Sequence, residues 1–73
     1  MTLTDKVKQT APEAIDELEE AIGCIPWHMW YCDTVEEAVE IELNNAVHCH
    51  RNGSNHPLLS AETTETIATI AYA

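Results

Sequence analysis

Cysteine and histidine side chains are concentrated in the middle of this 73-residue chain, and they are its most obvious candidates for chemistry. Thiolate and neutral imidazole are the ligands that tetrahedral zinc prefers, so their density indicates a metal site. The group contains all three cysteines and all four histidines of the chain: Cys24, His28, Cys32, His48, Cys49, His50 and His56. One hypothesis is therefore a small zinc-stabilised interaction module with ligands between residues 24 and 56.

The spacing of these side chains is less typical of zinc than their number. Structural zinc sites usually hold the metal through Cys-x₂₋₄-Cys or His-x₃₋₅-His pairs. This chain instead has Cys-x₃-His-x₃-Cys and then the contiguous His48-Cys49-His50. On a helix His48 and His50 point about 200° apart, and Pro26 interrupts the register of the first three ligands. The zinc ligands in this hypothesis are Cys24, His28, Cys32, His48 and Cys49. Otherwise Cys49 is a small core residue and the histidines are surface side chains.

Carboxylates form the second group of chemically notable residues. Thirteen Asp and Glu face three Lys and Arg, which gives a net charge of −10, and no Lys or Arg lies between Gln9 and His50. Such a run predicts attraction to a basic partner and repulsion of nucleic acid and anionic membranes. A solvated surface, as in proteins adapted to high salt, is an equally good explanation. The acids predicted to bind a partner are Asp16, Glu17, Glu19, Glu20, Glu36, Glu37 and Glu40.

Helix stability explains some of these acids and leaves others unexplained. The helix dipole favours negative charge in a first turn, where Glu36 and Glu37 are expected. Glu19 and Glu20 fall in the last turn of a predicted helix, where negative charge is unfavourable. These two acids favour a surface that binds lysine and arginine.

Carboxylates on rigid helices can occupy a groove that holds nucleic-acid phosphates, because the same cationic side chains bind both anions. In size and acidic composition the chain resembles small phage-encoded inhibitors of host defence nucleases, and no sequence motif contributes to this resemblance. The resemblance implies a stoichiometric inhibitor. Its partner would be a larger protein with a basic surface, such as a nucleic-acid-binding or host-defence complex, and the chain itself would not bind nucleic acid.

Catalysis has little support in the sequence. There is no Gly-rich phosphate loop, the only serines are Ser54 and Ser60, and no Cys-His pair has the context of a nucleophile. We therefore expect a protein that is not an enzyme.

Glu42 is the one acid that falls inside a predicted apolar helix stripe, whereas Ile41 falls outside it. We expect the Glu42 stem to pack at the edge of the stripe with its head group in water. The alternative is a buried carboxylate with a partner, which would make it a candidate site residue. Ile41 indicates a small exposed contact patch.

Helix signals in the sequence predict two helices and a third element. Thr10 and Glu13 have capping-box spacing before a helix over residues 11–22, and Asn52-Gly53 closes a second helix over residues 35–51. The segment at 61–72 is either helix or strand, because its many threonines are β-branched. Residues 1–9 are expected to be a loose lead-in, and residues 10–73 a single small acidic domain. The predicted fold class is mostly α.

The connector between these two predicted helices contains both tryptophans and a tyrosine. Trp27, Trp30 and Tyr31 are expected either to pack in the core or to be dominant contacts in an interface, since large aromatic side chains supply most interface energy. The predicted core combines them with Ile15, Leu18, Ile22, Val35, Val39, Leu43 and Val47.

The bulk properties predict a soluble cytoplasmic protein. An odd number of cysteines without a signal-peptide pattern favours a reducing compartment, and no apolar run approaches the ~20 residues that span a bilayer. A homodimer and a purely structural acidic protein are both compatible with the sequence.

Overall fold

The computed structural model describes residues 2–23 and 34–73. This part of the chain forms four helices and contains no strand: α1 (Leu3–Thr10), α2 (Pro12–Gly23), α3 (Val35–Arg51) and α4 (Ala61–Tyr72). The prediction of a mostly α fold is confirmed, although the number of helices is larger than expected.

The expected loose lead-in is instead an ordered helix. Thr2 is the N-cap of α1, and its side chain and that of Asp5 form a reciprocal capping box. Val7 in the middle of α1 is fully buried. The capping-box residues were therefore the sequence signal for this helix, and burial of Val7 supplies the packing that so short a helix needs.

A single residue separates α1 from α2. The backbone N–H of Ala11 still donates to the carbonyl of Val7 (2.7 Å), but Pro12 follows, and a residue before proline is driven out of the helical conformation. Pro12 is the first residue of α2, where its missing N–H costs nothing. Thr10 therefore ends α1 and does not cap α2 as its spacing to Glu13 predicted.

The limits of α3 agree with the sequence prediction. Thr34 is the N-cap, and its hydroxyl accepts a hydrogen bond from the backbone N–H of Glu37 (3.1 Å). At the other end Gly53 has a φ of 78°, and its N–H donates to the carbonyl of His50 (3.1 Å). Glycine adopts this positive φ without steric cost, so it ends the helix here.

The ambiguous C-terminal segment is a helix. Ser60 caps it by accepting from the backbone N–H of Thr63 (3.1 Å). Three of its threonine hydroxyls donate to the carbonyl four residues earlier, at 2.9 to 3.0 Å. These hydroxyls are thereby satisfied inside the helix, and burial of Ile67 and Ile70 outweighs the weak helix preference of threonine.

The core lies between all four helices. Of the predicted core, Ile15, Leu18, Ile22, Val39 and Leu43 are buried, and Val47 is half-buried against them. Val35 is 37% exposed, so its assignment to the core is wrong; as the first residue of α3 it lies at the end of the helix. Residues that were not predicted for the core also belong to it: Val7, Leu59, Ile67, Ile70 and the alanines Ala11, Ala14, Ala38 and Ala46.

Candidate functional site

Helices α1, α2 and α3 bring carboxylates from distant positions together on one surface. A small cleft at their junction is lined by Glu19 of α2, Glu36 of α3 and Lys8 of α1. A shallow groove continues from it, and Lys8 and Glu36 line this groove as well. We call the carboxylates of the cleft and groove the acidic surface; they are Asp5, Glu19, Glu36, Glu37 and Glu40.

Some of the predicted partner-binding acids lie on the acidic surface, and others lie elsewhere on the protein. Glu19, Glu36, Glu37 and Glu40 belong to it. Asp16 and Glu20 are exposed on α2 but line neither the cleft nor the groove. Asp5 was missed by the sequence analysis, because its segment was expected to be loose; the Thr2 to Asp5 spacing was the available signal.

Glu40 contacts the beginning of α1. Its Oε2 accepts hydrogen bonds from the backbone N–H of Thr4 (3.3 Å) and from the Thr4 hydroxyl. The first N–H groups of a helix have no partner within it, and the helix dipole favours an anion there. Glu40 therefore lies on the acidic surface and also fastens α3 to α1.

Glu17 has the same kind of contact with α4. One carboxylate oxygen accepts from the backbone N–H of Ser60 (3.2 Å), and the other accepts from the Thr63 hydroxyl (2.9 Å). The carboxylate is part-buried between α2 and the N-terminus of α4. Among the predicted partner-binding acids, Glu17 is thus engaged within the fold.

A second acidic groove lies between α2 and α4. Glu13, Glu62 and Glu65 line it, together with threonine side chains and Ile70. Sequence analysis did not select these acids, because the helix dipole accounts for Glu13 and Glu62 and because α4 was not assigned as a helix.

Glu42 and His56 form a buried polar pair. Glu42 is 7% exposed and His56 3% exposed, and Nε2 of the imidazole lies 3.4 Å from the Glu42 carboxylate. The Asn45 side chain donates to the other carboxylate oxygen (2.7 Å). The expectations that Glu42 keeps its head group in water and that His56 is a surface side chain are both wrong.

The backbone fixes the hydrogen positions on His56. Nδ1 accepts a hydrogen bond from the backbone N–H of Leu58 (3.1 Å), so this nitrogen carries no hydrogen. In the neutral ring Nε2 then carries the hydrogen, and this is the nitrogen that lies 3.4 Å from the Glu42 carboxylate. The pair ties the loop before α4 to α3 in the interior of the fold.

The zinc hypothesis concerns ligands that lie largely outside the described residues. Cys24, His28 and Cys32 belong to the connector between α2 and α3, which is not described. His48 and His50 are exposed near the end of α3, and Cys49 between them is half-buried. Within residues 2–23 and 34–73, no three His, Cys, Asp or Glu side chains are grouped to hold a metal ion.

The predicted aromatic contacts Trp27, Trp30 and Tyr31 also lie in the connector, outside the described residues. Of the predicted contact patch, Ile41 is 37% exposed on α3. None of the described helices combines the length and apolar character that crossing a bilayer requires.

Comparison with known proteins gives no relative: no family model, curated protein or solved structure matches this chain. The functional argument below therefore starts from the residues and their geometry.

Proposed function

We propose that this chain is a protein-binding module whose acidic surface docks on a basic surface of a larger protein. The observation that supports it best is the convergence of carboxylates from three helices around a single lysine. Clustered like charges repel each other, so the cluster costs the fold stability unless a partner's cations offset it.

The fold does not account for the whole cluster. Glu40 has a contact in the fold, through Thr4, and the helix dipole favours Glu36 in the first turn of α3. The carboxylates of Glu19 and Glu36 are nevertheless exposed, and no side chain in the described part of the chain engages them. Glu19 also lies near the C-terminal end of α2, where the helix dipole opposes it. Both carboxylates are free to form charge-assisted hydrogen bonds with lysine or arginine of a partner.

We propose further that the partner's basic surface is one that otherwise holds nucleic-acid phosphates. Arginine and lysine bind carboxylate and phosphate with the same donors, so an acidic surface can compete with nucleic acid for them. The chain then acts as a stoichiometric inhibitor of the phage anti-defence kind and has no catalytic role. Trp27, Trp30 and Tyr31 remain predicted additional contacts.

Paired charge reversals test which acids bind the partner. The variant Glu19→Lys/Glu36→Lys changes the net charge from −10 to −6, and Glu62→Lys/Glu65→Lys in the second groove makes the same change. Partners captured from a lysate at low salt are purified, and the affinity of each variant is measured. We expect the first variant to lose at least tenfold in affinity, mainly through the association rate, and the second to lose much less. Equal losses would mean that only the net charge matters and would contradict the proposal.

Competition with nucleic acid is measured separately. A labelled oligonucleotide is bound to the purified partner, and its fluorescence anisotropy is followed as the wild-type chain is added. Displacement at a one-to-one ratio, weakening as salt rises, is the expected result. Formation of a ternary complex would contradict the nucleic-acid part of the proposal and leave the docking part intact.

A further inference from the structure

The turn that ends α3 contains an Asn-Gly pair whose chemistry the proposed function does not use. The chain has four asparagines, and Asn52 is the only one that glycine follows. The side-chain carbonyl carbon of an asparagine can be attacked by the backbone nitrogen of the next residue, and glycine hinders that attack least because it has no Cβ. Asn52 and Gly53 are both exposed, so water reaches the reacting groups.

The reaction converts the side-chain amide into an acid and consumes only water. The Gly53 nitrogen bonds to Cγ of Asn52 and loses its hydrogen to solvent, while the bond from Cγ to Nδ2 breaks and Nδ2 leaves as ammonia after taking up a proton. The product is a cyclic succinimide. Water then adds to one of the two ring carbonyls and opens the ring, which leaves aspartate or isoaspartate at position 52. Neither an oxidant nor a reductant is required.

The fold holds both reacting groups in hydrogen bonds. The Gly53 N–H donates to the carbonyl of His50 (3.1 Å). Nδ2 of Asn52 lies 3.1 Å from Nε2 of His48, and an amide nitrogen can only donate, so the imidazole nitrogen accepts. Closing the ring also requires the Gly53 nitrogen to eclipse Cβ of Asn52, and the Asn52 ψ of 4° keeps the two atoms apart. The attacking nitrogen and the amide that it attacks are therefore both restrained by α3.

We infer that Asn52 is a deamidation site and that the turn at the end of α3 sets the rate of the reaction. Rotation of the Asn52 ψ breaks the hydrogen bond from the Gly53 N–H, so the ring closes only while the turn is open. Helix ends open locally far more often than the whole fold does, which makes the reaction accessible to the native protein. His48 is a positioning residue that slows it, because its ring holds the Asn52 side chain in place.

Deamidation changes the end of α3 in two ways. Either product adds a negative charge, which takes the net charge from −10 to −11, and places it at the C-terminal end of the helix, where the dipole opposes it. Isoaspartate also lengthens the backbone by a methylene group. The Ser54 N–H, which donates to the carbonyl of Cys49 (2.8 Å), is then displaced from its acceptor. The reaction therefore loosens the turn that had restrained it.

His48→Ala and His50→Ala are a matched pair of variants for the test. Each replaces an exposed imidazole in the last turn of α3 with a better helix former, and only the first removes the acceptor of the Asn52 side chain. The proteins are incubated in neutral buffer with a chelator, and mass spectrometry of their peptides measures conversion of Asn52. We expect His48→Ala to convert about threefold faster than wild type, since an exposed hydrogen bond contributes modestly. His50→Ala should convert at the wild-type rate.

The urea-unfolded chain and Asn55 supply the references. Asn55 is exposed but precedes His56, so in urea it should convert more slowly than Asn52. Unfolded wild-type protein should convert Asn52 about tenfold faster than the folded protein, because two restraining hydrogen bonds are lost, and His48→Ala should match wild type in urea. Conversion of Asn52 in urea no faster than that of Asn55 would overturn the site. Conversion of folded His48→Ala at or below the wild-type rate would overturn the role of the turn.

Discussion

Glu42 and His56 lie 14 positions apart in the sequence, and their side chains meet in the interior at 3.4 Å. The ring is held by the Leu58 N–H on one side and the carboxylate on the other, and Asn45 donates to the second carboxylate oxygen. Removing one partner of a buried polar pair leaves the other desolvated and without its hydrogen bond, which costs more than the bond itself contributed.

We therefore expect Glu42→Ala to destabilise the fold by about 2 to 4 kcal/mol, as measured by urea unfolding. Glu42→Gln keeps the shape and an acceptor oxygen and should cost about 1 kcal/mol. The control is Glu65→Ala, which removes an exposed acid and should change stability by less than about 0.5 kcal/mol. Should Glu42→Ala resemble this control, the pair would not contribute to stability. Nitrogen chemical shifts of His56 at neutral pH should show hydrogen on Nε2.

The sequence identified Glu42 as unusual and predicted its surroundings incorrectly. Helical periodicity located the carboxylate within the apolar stripe, but whether a partner meets it there depends on the path of the loop before α4. That path is set by burial of His56 and Leu59, which no local pattern reveals.

At the scale of helices, two carboxylates each stabilise the N-terminus of a different helix. Glu17 of α2 reaches the N-cap of α4, and Glu40 of α3 reaches the first turn of α1. Ser60 and Thr2 already cap these helices, so each N-terminus has both its own cap and an acceptor from a neighbouring helix. The contacts fix the relative positions of the helices as well as their ends.

Glu17→Ala should lower the free energy of unfolding by about 1 kcal/mol, because two donors at the start of α4 lose their acceptor. Glu20→Ala removes an exposed acid from the same helix and should be neutral or slightly stabilising, since the helix dipole opposes it. Urea unfolding of the two variants checks the difference. Equal stability would show that the conformational entropy lost in fixing the Glu17 side chain offsets the free energy of its hydrogen bonds.

The sequence predicted the limits of a helix correctly where capping residues mark its ends. Asn52-Gly53 marked the end of α3 correctly, and the predicted range of 35–51 agrees with the structure. Helix α1 was missed because eight residues are too few to form a stable helix alone, and burial of Val7 against the other helices supplies the missing stability. The convergence of carboxylates on the acidic surface could not be predicted from the sequence either, since it depends on how α1 packs against α2 and α3.

The connector between α2 and α3 contains three of the five predicted zinc ligands, so a test of the zinc hypothesis concerns this segment. If Cys24, His28 and Cys32 bind zinc, a chelator should lower the melting temperature, because metal-binding free energy is folding free energy in such small modules. Native mass spectrometry before and after chelation measures occupancy, with Cys24→Ser/Cys32→Ser as the variant that should be insensitive. Unchanged melting and no bound metal would end the hypothesis.

At the scale of the whole molecule, charge opposes folding. A net charge of −10 on a small domain produces repulsion that unfolding relieves, and the acidic surface concentrates it. Sodium chloride screens this repulsion over a Debye length of about 8 Å at physiological ionic strength.

The melting temperature should therefore rise by several degrees between about 10 mM and 500 mM sodium chloride. Glu19→Gln/Glu36→Gln should melt higher than wild type at low salt and respond less to added salt. Glu62→Gln/Glu65→Gln carries the same net charge and is the matched comparison. A melting temperature that falls with salt would indicate that favourable ion pairs dominate instead.

The contacts of Glu17 and Glu40 also make two backbone amides sensitive to the association of helices. The first N–H groups of a helix ordinarily exchange quickly with deuterium, because nothing in the helix accepts from them. Here Thr4 and Ser60 donate to carboxylates of other helices, so their N–H groups should exchange more slowly for as long as these carboxylates stay in place. Their exchange rates therefore report separately, without any label, how often each carboxylate releases the helix that it contacts.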